Sequence, residues 1–388
     1  MKKFVSAFFI IFAAMIFSSS LCGKVKAASL PVTPNVTGKS AILMDYNTRT
    51  VITEKDSGKQ LPIASMTKIM TLLICFEEVD KGNLSLEEDI SVSKTASGMG
   101  GSQAFLEAGA TYKAKELLKS IAVASANDAC VALAERLSGS ESAFVAKMNE
   151  RASELGLSKT NFVNCTGLPA PMHHSTASDV AVMLCNLISH PTYFEFSQVW
   201  LDEIEHPKGR KTTLTNTNKL VKFYEGCDGG KTGYTTEAGH CLAATAMRGG
   251  MRLIAVVIAE PDSKTRFKDA SDLLNFGFAN YTNKMIVDKD KPFEVTAKVV
   301  GGKSKSVPIS AKENYYTFAS RNEKLQIQVD FVPFEKIKAP IEKGDICGKL
   351  QIFKDGNLLA EIDAVALQSV EKQTYLDNVK DVLQNWNI

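Results

Sequence analysis

The 388-residue chain holds no Cys-x-x-Cys pair among its 8 cysteines and no His-Glu-x-x-His helix motif. The first absence argues against a structural zinc or dithiol redox site, and the second against a zincin-type hydrolase. There is also no Gly-x-Ser-x-Gly elbow, so its 5 histidines do not belong to an ordinary Ser-His-Asp hydrolase. His173-His174 lies just before a helix start, where a structural or capping role is expected. Long apolar runs are scarce: only Phe4 to Phe17 is substantial, which rules out a polytopic membrane protein. Cysteines 22, 75, 130, 165, 185, 227, 241 and 347 follow no framework spacing, and most sit in apolar stretches, as buried free thiols do.

What remains is the composition of a soluble globular protein, 45% hydrophobic and 23% charged. The length suggests more than one domain. Lys2 and Lys3 precede the apolar run, and small residues surround Ala27-Ala28, the pattern of a cleaved secretory signal over 1–27. Cleavage would take four of the 45 bases and none of the 43 acids, turning the net charge from +2 to −2. No basic stripe is left for nucleic acid.

Residues 40–56 read as a strand pair around Asp45-Tyr46-Asn47-Thr48. Helical patterns dominate from about 65 to 190, and strands return after 228, with Gly249-Gly250 joining two of them. A helix near 266–282 would cover that sheet. The predicted class is α+β, an antiparallel sheet beside a helical lobe. A polar stretch, Asp288-Lys289-Asp290-Lys291-Pro292, divides a main domain over 28–287 from a small all-β domain over 288–367. There Leu325, Ile327, Val329 and Phe331 alternate with polar residues, and Lys354-Asp355-Gly356-Asn357 marks a hairpin. In the segment 368–388, Tyr375, Leu376, Val379, Val382, Leu383 and Trp386 share one helix face, suited to a membrane surface or to packing on its own domain.

Ser-x-x-Lys on a helix puts a hydroxyl and an amine on one face, and a neutral lysine there can accept the serine proton. The motif occurs at Ser65/Lys68, Ser91/Lys94 and Ser369/Lys372. Ser91 lies in an alternating, strand-like stretch and Ser369 outside the main domain. Ser65 opens a helix, where free N–H groups favour developing negative charge. Two further motifs follow in order: Ser125-Ala126-Asn127 between helical patterns, and Lys231-Thr232-Gly233, which opens a strand after Asp228-Gly229-Gly230. The set is far more specific than its members.

With these motifs the sequence resembles the low-molecular-mass penicillin-binding proteins, the serine-type D-alanyl-D-alanine carboxypeptidases, over nearly its whole length. The Asn164-Cys165-Thr166-Gly167-Leu168 stretch, the β-rich second domain and the amphipathic tail are similar too. The resemblance implies a penicillin-binding, β-lactamase-like transpeptidase fold without cofactor or metal. It also implies a substrate, the peptidoglycan stem peptide ending in D-Ala-D-Ala, and covalent inhibition by β-lactams. Ser65 would be the nucleophile and Lys68 the base, its pKa lowered by burial and a second ammonium. Ser125 would relay a proton to the leaving amine, and Asn127 would hold the substrate amide. Lys231 would supply the neighbouring charge, and Thr232 would bind the terminal carboxylate with help from Arg252. Gly233 would leave room for a peptide along the strand edge, and the N–H groups of Ser65 and Tyr234 would form the oxyanion hole. A β-lactamase needs a glutamate to activate water, yet none lies between Glu154 and Glu195. The same motifs would also suit a DD-endopeptidase, or a non-catalytic sensor that binds peptidoglycan or β-lactams.

Overall fold

The computed structural model describes residues 33–386, with side chains through 380. The expected signal segment and the side chains of Val382, Leu383 and Trp386 lie outside the described residues.

Strands β1 (Ser40–Asp45) and β2 (Val51–Lys55) form the expected hairpin. Asp45 fixes its turn by accepting hydrogen bonds from the amide and the hydroxyl of Thr48, both at 2.7 Å. The helical lobe follows, with α1 (Lys68–Asp80), α2 (Ala114–Ala124), α3 (Asn127–Ser138) and α4 (Ala177–Leu187). Thr176 caps α4, accepting from Asp179 N at 3.0 Å. Strands β3 (Cys227–Thr235), β4 (Gly239–Arg248) and β5 (Met251–Glu260) complete the sheet, and α5 (Ser263–Asn280) covers it. Helix α5 starts three residues before the sequence reading because Asp262 caps it, accepting from Thr265 N at 2.8 Å.

The sheet is antiparallel, in the order β2-β1-β5-β4-β3, so the first strand pairs with the last. Side-chain alternation divides β1 and β5 between two cores. Ile42, Met44, Ile254, Val256 and Ile258 pack on the helical lobe. Ala41, Leu43, Leu253, Ala255 and Val257 pack beneath α5. Gly277 lets α5 settle close, since a Cβ there would lie 2.4 Å from Leu253 Cδ1.

Between Tyr281 and Ala366 the elements are all strands, most of them in a six-stranded sheet with its own core. Asp355 and Gly356 have positive φ and make a two-residue hairpin turn between strands 346–354 and 357–366. Strand Tyr281–Val287 pairs with Tyr315–Ser320, so the all-β elements begin before residue 288. The polar stretch expected as a linker is pinned instead: Ser310 Oγ donates to the carbonyls of Lys289 and Lys291. The described cysteines are all free and buried.

Candidate active site

Residues 64–67 form a single 3-10 turn that runs directly into α1, so Ser65 sits on a tighter turn than the α-helical start expected. Ala64, just before it, has φ 46°, a strained left-handed conformation for a residue with a Cβ. Two glycines lie close against this turn. A Cβ on Gly167 would fall 2.0 Å from Ala64 O, and one on Gly233 would fall 2.6 Å from Ile63 O and 3.2 Å from Ser65 N. The missing side chain of Gly233 thus serves to seat the serine turn against β3. That corrects the sequence reading, in which the space was left for a substrate peptide.

Lys68 is fully buried and reaches back one turn, its Nζ 3.0 Å from Ser65 Oγ. The same amine donates to Thr166 O at 2.6 Å. One turn on, Thr71 Oγ1 donates to Cys165 O at 2.7 Å, tying α1 to the 164–168 loop. Asn164 shapes that loop, its Oδ1 accepting from the amides of Thr166 and Gly167 at 3.2 and 2.7 Å. The Asn164-Cys165-Thr166-Gly167 stretch therefore positions a carbonyl for the lysine, a role the sequence alone did not suggest.

Ser125 caps α2 in a left-handed conformation, φ 64°, where glycine is usual. Both Ser125 Oγ and Asn127 Oδ1 are buried without a hydrogen-bond partner. Asn127 Nδ2 is engaged with Gly100 O at 2.7 Å, which leaves its oxygen available. Asp128 anchors the overlying loop by accepting from Ala104 N and Leu106 N, each at 3.0 Å. Buried polar atoms without partners are costly, which makes Ser125 Oγ and Asn127 Oδ1 candidates for contact with a ligand.

Lys231, Thr232 and Gly233 lie in the middle of β3, the outer strand, not at its start. The strand begins at Cys227 because Tyr193 OH accepts from Gly230 N at 3.0 Å and Ser197 Oγ donates to Asp228 O at 2.6 Å. Lys231 is buried, its Nζ donating to Thr232 O at 3.2 Å. Burial pulls both lysines below the ordinary lysine range, Lys231 well below, and the Lys68 charge adds to the effect on Lys231. At Lys68 burial alone lowers the pKa, and no second ammonium contributes there, contrary to the sequence reading. Tyr234 is largely exposed and stacks on His240, ring centroids 4.4 Å apart.

Arg252 does not join this group, contrary to the sequence reading. It pairs in register with Met247, five residues along β4 from the partner of Thr232, or about 16 Å at ~3.3 Å per residue. Its guanidinium is committed to both carboxylate oxygens of Asp228, each at 2.7 Å. The arginine at the site is Arg266 of α5, which donates to Gly233 O at 3.2 Å and Cys241 O at 3.3 Å. Burial lowers its pKa to about 10. No motif surrounds Arg266 in the chain, so only the packing of α5 on β3 and β4 reveals it. A cavity of about 330 Å³ adjoins the serine turn, lined in part by Ile63, Leu168, Pro171 and Thr235.

The family model described as D-alanyl-D-alanine carboxypeptidase matches residues 25–262, and that of the penicillin-binding protein 5 C-terminal domain matches 281–372. The chain is 40% identical to D-alanyl-D-alanine carboxypeptidase DacF of Bacillus subtilis over 349 residues, 90% of each protein. It is 30% identical to DacC of Escherichia coli, covering 97% of this chain and 93% of that one. Among solved structures, penicillin-binding protein 5 of Haemophilus influenzae superposes with a TM-score of 0.71 at 27% identity, over 88% of this chain and 100% of the other. The serine turn, the buried lysine pair and the β-rich C-terminal region thus go with membership: the chain belongs to the D-alanyl-D-alanine carboxypeptidase family of penicillin-binding proteins, serine-type peptidases.

Proposed function

We propose that the protein removes the terminal D-alanine from peptidoglycan stem peptides through an acyl-enzyme on Ser65. The observation that carries this reading is the 3.0 Å approach of a buried, pKa-depressed Lys68 to Ser65 Oγ. Neutral Lys68 takes the hydroxyl proton as Oγ attacks the carbonyl between the two D-alanines. The N–H groups of Ser65 and Tyr234 receive the developing oxyanion, a contribution of ~3–4 kcal/mol per donor in comparable sites. The C–N bond breaks, and Ser125 passes a proton to the departing amine of D-alanine. Water then hydrolyses the ester and regenerates Ser65. Asn127 presents its free Oδ1 to the substrate amide, and Thr232 and Lys231 bind the terminal carboxylate.

β-Lactams enter the same path as covalent inhibitors. With no glutamate between Glu154 and Glu195 to activate water, the acyl-enzyme they form is long-lived. Mass spectrometry of the intact protein after penicillin treatment tests this: one adduct is expected, located on Ser65 and absent from Ser65→Ala, which also loses D-alanine release from a D-Ala-D-Ala pentapeptide. Labelling of another serine overturns the assignment. Drug labelling without D-alanine release points to a sensor instead.

The N-terminal signal pattern supports export, and the tail supports contact with a membrane surface. Tyr375 and Leu376 of the terminal helix (Tyr375–Trp386) are strongly exposed, so the protein's own strands leave them uncovered. Val370 is buried and bridges to Ile341, so a truncation that spares the fold belongs after Gln373. That truncation is expected to release the protein from membranes with turnover intact, and unchanged fractionation rejects the surface-helix reading.

A further inference from the structure

The turn that carries Ser65 is held by a hydrogen-bond chain that begins nearly a hundred residues away. Val163 N donates to His173 Nδ1 at 3.2 Å, which makes that nitrogen the acceptor and leaves the ring proton on Nε2. Nε2 faces Thr67 Oγ1 at 2.8 Å, and Thr67 Oγ1 donates to Ala64 O at 2.8 Å. Each link between the ends thus gives one proton and accepts one, so the direction of the chain is fixed from Val163 to Ala64. His173, Thr67 and Ala64 are all buried, and Phe162 packs its ring edge-on against the imidazole, centroids 5.9 Å apart.

The end point is what gives the chain a chemical meaning. Ala64 O belongs to the same peptide unit as the N–H of Ser65, and Ala64 is the strained residue that Gly167 and Gly233 enclose. A hydrogen bond received by a peptide carbonyl polarises the amide and makes its N–H a stronger donor. The Thr67 hydroxyl is spent within this chain, its one proton going to Ala64 O while its oxygen receives the imidazole N–H.

We propose that His173 and Thr67 are positioning residues that fix and polarise the Ala64–Ser65 peptide unit, strengthening the Ser65 N–H as an oxyanion donor. The proposal rests on the assignment of Ser65 as nucleophile. It gives His173 a part in the reaction where the sequence suggested a purely structural residue. The relay needs the neutral imidazole, because a second ring proton on Nδ1 would confront the Val163 N–H. Burial, with His174 alongside, holds the His173 pKa down at about 4 and so keeps the ring neutral.

The test uses the full chain and benzylpenicillin. Thr67→Val keeps the shape of the side chain and removes the hydroxyl. It is expected to slow acylation of Ser65 about tenfold, the size of one net hydrogen bond. The ester carbonyl stretch of the resulting acyl-enzyme is expected to move to higher wavenumber, reporting a weaker oxyanion hole. Thr67→Ser restores the hydroxyl and is expected to recover the acylation rate to within about threefold. If Thr67→Val does not fold, His173→Leu, which leaves the hydroxyl without its donor, is read in the same way. Acylation at the wild-type rate, an unmoved carbonyl band, or a serine variant as slow as the valine one overturns the relay. Wild-type protein that fails to label at Ser65 overturns the nucleophile assignment instead, so the two failures are told apart.

Discussion

Ser65/Lys68 and Ser91/Lys94 share one spacing and little else. Ser91 ends a short strand, Asp89–Ser91, and Lys94 begins a four-residue helix with its side chain in solvent. Ser93, between them, spends its hydroxyl on capping that helix, accepting from Ala96 N at 2.9 Å. Lys68 has no solvent at all, and its amine contacts Ser65 Oγ and Thr166 O. Each region also has a left-handed glycine beside it. Gly167, φ 84°, is pressed against Ala64 O, whereas Gly109, φ 80°, donates to Val92 O and has open space where a Cβ would go. Spacing brings a serine and a lysine into reach of each other; enclosure changes what the lysine is.

The strongest way to break this contrast is to delete each amine. Lys68→Met is expected to lower penicillin acylation about 10³-fold, the scale of a lost general base, while Lys94→Met leaves it unchanged. Stopped-flow acylation of both variants checks this, and equal losses would erase the distinction. Next in size is the pair of glycines. Gly167→Ala is expected to cost about 2–5 kcal/mol in urea unfolding, from strain at positive φ together with the clash on Ala64. Gly109→Ala is expected to cost only about 1–2 kcal/mol, from φ alone. Similar costs would mean that the enclosure is not tight.

The third effect is on pH dependence. Acylation is expected to rise with pH through the lowered pKa of Lys68 and to level off below the ~10.4 of a free lysine. A rising limb centred near 10.4 would contradict a desolvated base. Stability follows with a definite sign. Between the lowered folded pKa and ~10.4 the unfolded chain binds more protons, so unfolding free energy rises with pH across that window. Lys68→Met is expected to flatten that part of the slope, measured by denaturation at several pH values.

The residues that carry motif chemistry were legible because their spacing survives in one dimension. Ser65 to Lys68 is one helical turn, and Ser125 to Asn127 bridges two helices. The C-terminal strands were legible for a different reason, since one polar and one apolar parity alternate there. Strands β1 and β5 lack that cue: both of their faces are buried, so no parity of Ser40–Asp45 or Met251–Glu260 announces which core it enters. Arg252 was misread because strand proximity in sequence says nothing of register, and register carries it to the Asp228 end of the sheet. The roles of Arg266 and Thr166 were not legible because one acts from a covering helix and the other through its backbone carbonyl.

The pairing of β1 with β5 has a bearing on biogenesis. Met44 and Ile254 are partners, so the middle of the sheet cannot close until some 210 intervening residues have been delivered. Contacts of such sequence separation form slowly, because a large loop must be closed before they repay its entropy. A chain arrested midway through synthesis would carry the Ser65 hydroxyl with neither β3 beside it nor the 164–168 loop around its lysine. Hydrolytic power therefore switches on only when the main domain is nearly whole, an inbuilt safeguard against premature reaction.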